Sequence, residues 1–93
     1  MEIKFEEGTT KGVFYYEENG ARLAEMTFSK AGDKLIIIDH TEVSEKLRGM
    51  GAGNQLVTAA VTHARRNNIK ILPLCPFAKS VFDKTPAFND VLN

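Results

Sequence analysis

The feature that most restricts the fold is a change of hydrophobic period in the second half of the chain. "LIII", residues 35–38, is a continuous apolar run, as expected for a strand buried on both faces. Beyond residue 52 the pattern changes. Leu56, Val57, Ala60, Val61 and Ala64 recur at spacings of three and four, with Thr58, Thr62, Arg65 and Arg66 on the other side. That spacing predicts an amphipathic helix over 52–66, with two basic residues suiting its last turn and Asn67-Asn68 closing it. A second short apolar run, "IKILPL", follows at 69–74. Strand, helix and strand in this order form a right-handed crossover, so the two strands are expected to lie parallel.

Upstream the sequence reads as β. Residues 3–7 suit a short strand, and "KGVFYYEE" (11–18) is aromatic and β-branched. "ARLAEMTFSK" (21–30) returns with Ala24, Met26 and Phe28 alternating on one face. Between them stands Asn19-Gly20, a strong hairpin signal, because both central residues of a type I′ turn need positive φ. Ala31-Gly32-Asp33 makes another turn before the strand at Leu35–Val43. At the far end Cys75-Pro76 opens a second helix, with proline at its first position, and Thr85-Pro86 stops it after Lys84. The expected class is α+β: a mixed sheet whose antiparallel N-terminal meander leads into a βαβ unit and a C-terminal helix. The 93 residues, 43% of them hydrophobic, suffice for one modest core, so a single domain over 1–93 is expected.

Charge and composition narrow the function. Lysine plus arginine equals aspartate plus glutamate, at 12 each, so no global field draws the chain to nucleic acid or an anionic membrane. No apolar stretch approaches 18 residues and no leader pattern opens the chain, which reads as cytoplasmic. The lone cysteine, Cys75, has no partner for a disulfide, and two histidines, His40 and His63, do not make a metal site.

"EVSEKLRGMGAGNQL", residues 42–56, places three glycines in five positions between the apolar strand and the helix. A P-loop would end in Gly-Lys-Ser/Thr, whereas this chain has Gly53-Asn54-Gln55. A dinucleotide fingerprint counted from Gly49 finds Asn54 where its third glycine belongs. What remains is Arg48-x-x-Gly51-x-Gly53 at a helix start. Amides there carry partial positive charge, and Arg48 adds a full one, so a phosphate is the favoured ligand. A plain turn is the alternative.

The residues "RGMGAG" resemble the R/Q-x-x-G-x-G/A signature of the GNAT N-acetyltransferase superfamily, with Arg48, Gly51 and Gly53 at the signature positions. With "ILPLCPF" downstream, nearly the whole chain is similar to the small stand-alone Yjdj-type domains of that superfamily. The resemblance implies a minimal GNAT-like fold and acetyl-CoA as ligand. The pyrophosphate would rest on Arg48, Gly49, Met50, Gly51, Ala52 and Gly53, with Asn54 and Gln55 beside it. The pantetheine arm would pair with the backbone at Glu42 and Val43, between parallel strands that splay at their carboxyl ends. Larger members continue with strands that complete an acceptor pocket. Here a macromolecular acceptor or a second copy, as in a homo-oligomer, would cover that side.

The thioester would point toward Cys75. A thiol at a helix N-terminus favours its thiolate, which could attack the thioester and carry the acetyl group. Proton donation to the departing CoA sulfur and simple packing are the other roles for Cys75. His40, three residues before the end of its strand, is expected to approach the same cleft and act in proton transfer, with Asp39 on the opposite face. The acceptor implied by the resemblance is an amine, on a protein or a small molecule. A non-catalytic acetyl-CoA binding or sensing module is the second reading, and an interaction domain with a mere turn at 48–53 the third.

Overall fold

A computed structural model describes residues 1–93. Five strands form one sheet in chain order: β1 (Lys4–Glu7), β2 (Lys11–Glu18), β3 (Ala21–Lys30), β4 (Leu35–Val43) and β5 (Lys70–Pro73). β1 to β4 pair antiparallel and β4 pairs parallel with β5. The crossover is helix α1 (Ala52–Asn67), and β5 leads into helix α2 (Pro76–Lys84). The expected α+β mixed sheet is thus the observed one, with boundaries moved by a residue or so. Asn19 and Gly20 both take positive φ, 51° and 80°, as the hairpin demands.

Both helices pack on one face of the sheet. Phe14, Ala24, Met26, Phe28, Ile36, Ile38 and Ile71 meet Leu56, Val57, Ala60, Val61 and Ala64 of α1 and Ala78, Val81 and Phe82 of α2 in one buried cluster. The other face carries no element. Residues 86–91 form a 3₁₀ helix that buries Val91, and Leu92 bridges Ile71 in parallel, covering the free edge of β5. Arg65 fixes this segment to α1 with two hydrogen bonds to the Asp90 carboxylate, at 2.9 and 2.8 Å, and one to the Ala87 carbonyl. The guanidinium holds the Asp90 carboxyl below its ordinary 3.8.

His63 of α1 lies among aromatic rings, 4.6 Å from Phe5 and 5.7 Å from Phe14 between centroids. Burial lowers its proton affinity below the ordinary 6.5, opposed by Glu7 and reinforced by Lys30. A histidine with a lowered folded-state value binds its proton more weakly than the unfolded chain does. Stability contributed here is therefore present above the unfolded value and falls as pH drops through it. Urea midpoints at pH 7.5 and pH 5.5 should show the lower pH less stable, with His63→Leu reducing the difference. An unchanged difference would mean that other groups set the slope.

Candidate functional site

β4 and β5 stay together only at their amino ends. Their pairing stops at Ile38 and Pro73, where the Leu74 and Cys75 amides both donate to the Ile38 carbonyl, at 3.0 and 3.1 Å. β4 runs on for five residues to Val43, paired with β3 alone. From Asp39 to Val43 its other edge has no strand partner, and α2 starts where the two strands part. Cys75 lies at this parting as the N-cap residue of α2. It is 5% exposed, and its Sγ is 3.2 Å from the Thr41 Oγ1.

Thr41 reaches Cys75 because β4 contains a bulge. Thr27 pairs with His40 and Phe28 with Ile38, leaving Asp39 as the extra residue. Its carboxylate accepts hydrogen bonds from the Thr27 and Ser29 hydroxyls. Without the bulge, alternation from Ile36 and Ile38 would turn His40 toward the helices. With it, Thr41 stands opposite the buried Met26 on the helix side, and His40 stands opposite Thr27 on the open face. The expectation that His40 shares the cleft with Cys75, and that Asp39 faces away from His40, is corrected on this point. His40 is exposed, with Nε2 3.6 Å from the Glu42 carboxylate.

The glycine loop begins from a short 3₁₀ turn, Glu45–Leu47. Ser44 caps it by accepting from the Lys46 amide at 3.2 Å, and buried Leu47 anchors it. Arg48 follows, exposed and without an ion-pair partner. Gly49 and Gly51 adopt φ of 78° and 69°, in the left-handed region that glycine enters at little cost, with no neighbouring atom where a Cβ would stand. Gly51 is the N-cap residue of α1. The Gln55 side chain closes the loop onto the Met50 carbonyl at 3.3 Å. The amides of Gly49, Gly51, Ala52, Gly53 and Asn54 find no acceptor in the protein, although Ala52 and Gly53 are buried. Unpaired amides at a helix start carry partial positive charge and suit an anion.

Gly53 has a different task from the one its spacing suggested. A Cβ there would fall 2.3 Å from Cζ of Phe77, so the absent side chain makes room for the Phe77 ring rather than for an oxygen. Of the residues singled out in the sequence, Glu42 and Val43 end β4, residues 48–55 lead from it into α1, and Cys75 caps α2 beyond the end of β5. Thr41 and Phe77 were missed.

A parallel pair parting at its carboxyl ends, beside an arginine-flanked row of free amides at a helix start, marks that end of the sheet as the candidate ligand site. The chain belongs to the GCN5-related N-acetyltransferase family, whose model matches residues 13–91. It is similar to a GCN5-like protein of the N-acetyltransferase type from Staphylococcus aureus, solved by NMR, at 42% identity and a TM-score of 0.75; the match covers 99% of this chain and 87% of the other. The fold is shared with a ribosomal-protein-alanine N-acetyltransferase from Brucella melitensis biovar Abortus at 15% identity and a TM-score of 0.64, covering 92% of this chain and 64% of that one. It is shared too with AAC(6′)-Iy bound to the bisubstrate analogue CoA-S-monomethyl-acetylneamine, at 12% identity and a TM-score of 0.56, covering 87% and 62%. A comparison with curated proteins returns no match.

Proposed function

We propose that this protein is an acetyl-CoA-dependent N-acetyltransferase that passes the acetyl group through Cys75 to an amine acceptor. The observation that carries the reading is the parting of β4 and β5 after Ile38 and Pro73, with a thiol beside it and free amides at the start of α1. The pyrophosphate binds to the amides of residues 49–54 and to Arg48. The pantetheine arm pairs along the open edge of β4 at Glu42 and Val43, as an added strand would. A relative of the same fold, AAC(6′)-Iy, is known in complex with a CoA-linked bisubstrate analogue, which supports CoA as the co-substrate.

The chemistry follows from the thiol. The Cys75 thiolate attacks the acetyl carbonyl carbon, the carbon–sulfur bond to CoA breaks, and CoA leaves as a thiol with the proton Cys75 gave up. The Phe77 and Ala78 amides, in the first turn of α2 and without protein acceptors, suit the transient oxyanion. An amine then attacks the acetyl-cysteine, and the thiol is regenerated as the amine loses its proton. A reacting thiol fits a reducing, cytoplasmic setting.

Titration of ¹⁵N-labelled protein with acetyl-CoA tests the binding half directly. Amide resonances of residues 42–43, 48–55 and 75–78 should shift, while those of β1 and β2 stay in place. No shift in the 48–55 loop would leave it a turn and overturn the reading.

A further inference from the structure

The sheet has two outer edges, and the fold covers one of them. Leu92 bridges Ile71 along β5, whereas nothing covers β1, whose four residues are all exposed. The Gly8 amide donates to the Lys11 carbonyl at 2.7 Å, so Gly8 and Lys11 are a hydrogen-bonded pair. Such pairs alternate along an antiparallel ladder, and Glu6 and Lys4 therefore turn their backbone groups inward, to Val13 and Tyr15. Phe5 and Glu7, with Ile3 before them, turn theirs outward. The side chains divide as well. Phe5 lies on the helix side, its ring 4.6 Å from that of His63, and is still 38% exposed. Lys4 and Glu6 lie on the open face, where Lys4 reaches Glu17 and Glu6 accepts from the Tyr15 hydroxyl. Charges of one sign along an edge keep copies of a chain apart, but this edge carries opposite charges on either side of one phenylalanine.

We infer that β1 pairs antiparallel with β1 of a second copy, across a two-fold axis at Phe5, in a weak dimer with one continuous sheet of ten strands, five from each copy. Residues directly opposite in an antiparallel pair share a face, so the axis passes through a residue. An axis at Lys4 or at Glu6 would set like charges against each other, which is unfavourable. At Phe5 it sets each Lys4 opposite Glu6 of the second copy and brings the two Phe5 rings side by side. The outward backbone groups of Ile3, Phe5 and Glu7 then meet those of Glu7, Phe5 and Ile3, for about six hydrogen bonds. α1 lies over β2, β3 and β4. Its two copies would stand about five strand spacings apart, roughly 24 Å, against a helix diameter of about 10–12 Å. The parting of β4 and β5 lies toward the far edge of each copy and stays uncovered, so the dimer does not depend on the proposed chemistry. One short strand per copy buries less than the roughly 1,000 Å² of a stable complex, and the association is accordingly weak and concentration-dependent.

Sedimentation equilibrium on the full chain, from about 10 µM to about 1 mM, the range in which a small interface associates, should show a reversible monomer–dimer equilibrium. At the upper end the Phe5 and Glu7 amides should gain protection from hydrogen exchange, and those of Lys4 and Glu6 should not change. Lys4→Glu sets carboxylates opposite one another and Glu6→Lys sets ammonium groups opposite one another, so each variant alone should stay monomeric. Mixed in equal amounts, the two variants should associate, because every carboxylate then faces an ammonium group. Effects within one copy, such as loss of the Lys4–Glu17 pair, cannot give that result, since each variant keeps its own internal contacts in the mixture. An unaltered chain that is monomeric throughout, single variants that dimerise as well as it does, or a mixture that stays monomeric would each overturn the inference.

Discussion

Incubation with acetyl-CoA is expected to add one acetyl group to the protein, and Cys75→Ala to gain none. Intact-mass spectrometry reads the difference directly, and treatment with hydroxylamine should remove the adduct, as it does a thioester. The expectation comes from geometry rather than from the presence of a cysteine. Cys75 is nearly enclosed and stands where β4 and β5 part. Its hydrogen-bonding neighbour is the Thr41 hydroxyl, which orients the sulfur. Thr41→Val removes that partner and should slow the appearance of the adduct while CoA binding is retained. Free cysteine is often a small packing residue. If packing were its whole role, Cys75→Ala would lose some stability and nothing else. Absence of any adduct on the unaltered protein, with tight acetyl-CoA binding, would exclude the covalent route and leave direct transfer or a binding module.

The parts of this arrangement that were legible in the sequence are those governed by local rules. Apolar periodicity separated the strands from α1, Asn19-Gly20 marked a hairpin, and Pro76 marked the start of α2. The strand–helix–strand order then required β4 and β5 to be parallel. The partial failure was at His40, and its cause is a single residue. Strand alternation holds only while two strands advance in step, and Asp39 is one residue out of step. The hydroxyls that secure it, Thr27 and Ser29, belong to a different strand, so the signal lay in the pairing and not in the local pattern. Gly53 illustrates the same limit. Its place in the loop suggested close approach by a ligand, but Phe77, 24 positions along the chain and on another helix, occupies the space. A motif indicates that a small residue is needed; tertiary packing decides what it makes room for.

Arg48→Ala is expected to weaken CoA binding by about 1.5–3 kcal/mol, roughly ten- to a hundredfold, the ordinary worth of a charge-assisted contact to phosphate. The magnitude follows from what Arg48 lacks. No carboxylate competes for it, so its full charge is available to an anion at the neighbouring amides. Its backbone is nonetheless fixed. The Arg48 amide donates to the Glu45 carbonyl at 3.0 Å, and Leu47, immediately before it, is buried. The substitution should therefore leave the unfolding midpoint within experimental error while lowering affinity, a separation that a structural role would not give. Arg48→Lys should recover part of the loss, since it restores the charge without the planar fork. Gly51→Ala is the complementary test from the backbone side. Its φ of 69° costs an L-residue about 1–2 kcal/mol, and relief of that strain moves the first amides of α1. Both changes act on one bound group by different means, one through charge and one through amide direction. Their effects on affinity should consequently be less than additive when combined. Full affinity in Arg48→Ala, measured by calorimetry at low salt, would show that the diphosphate lies elsewhere.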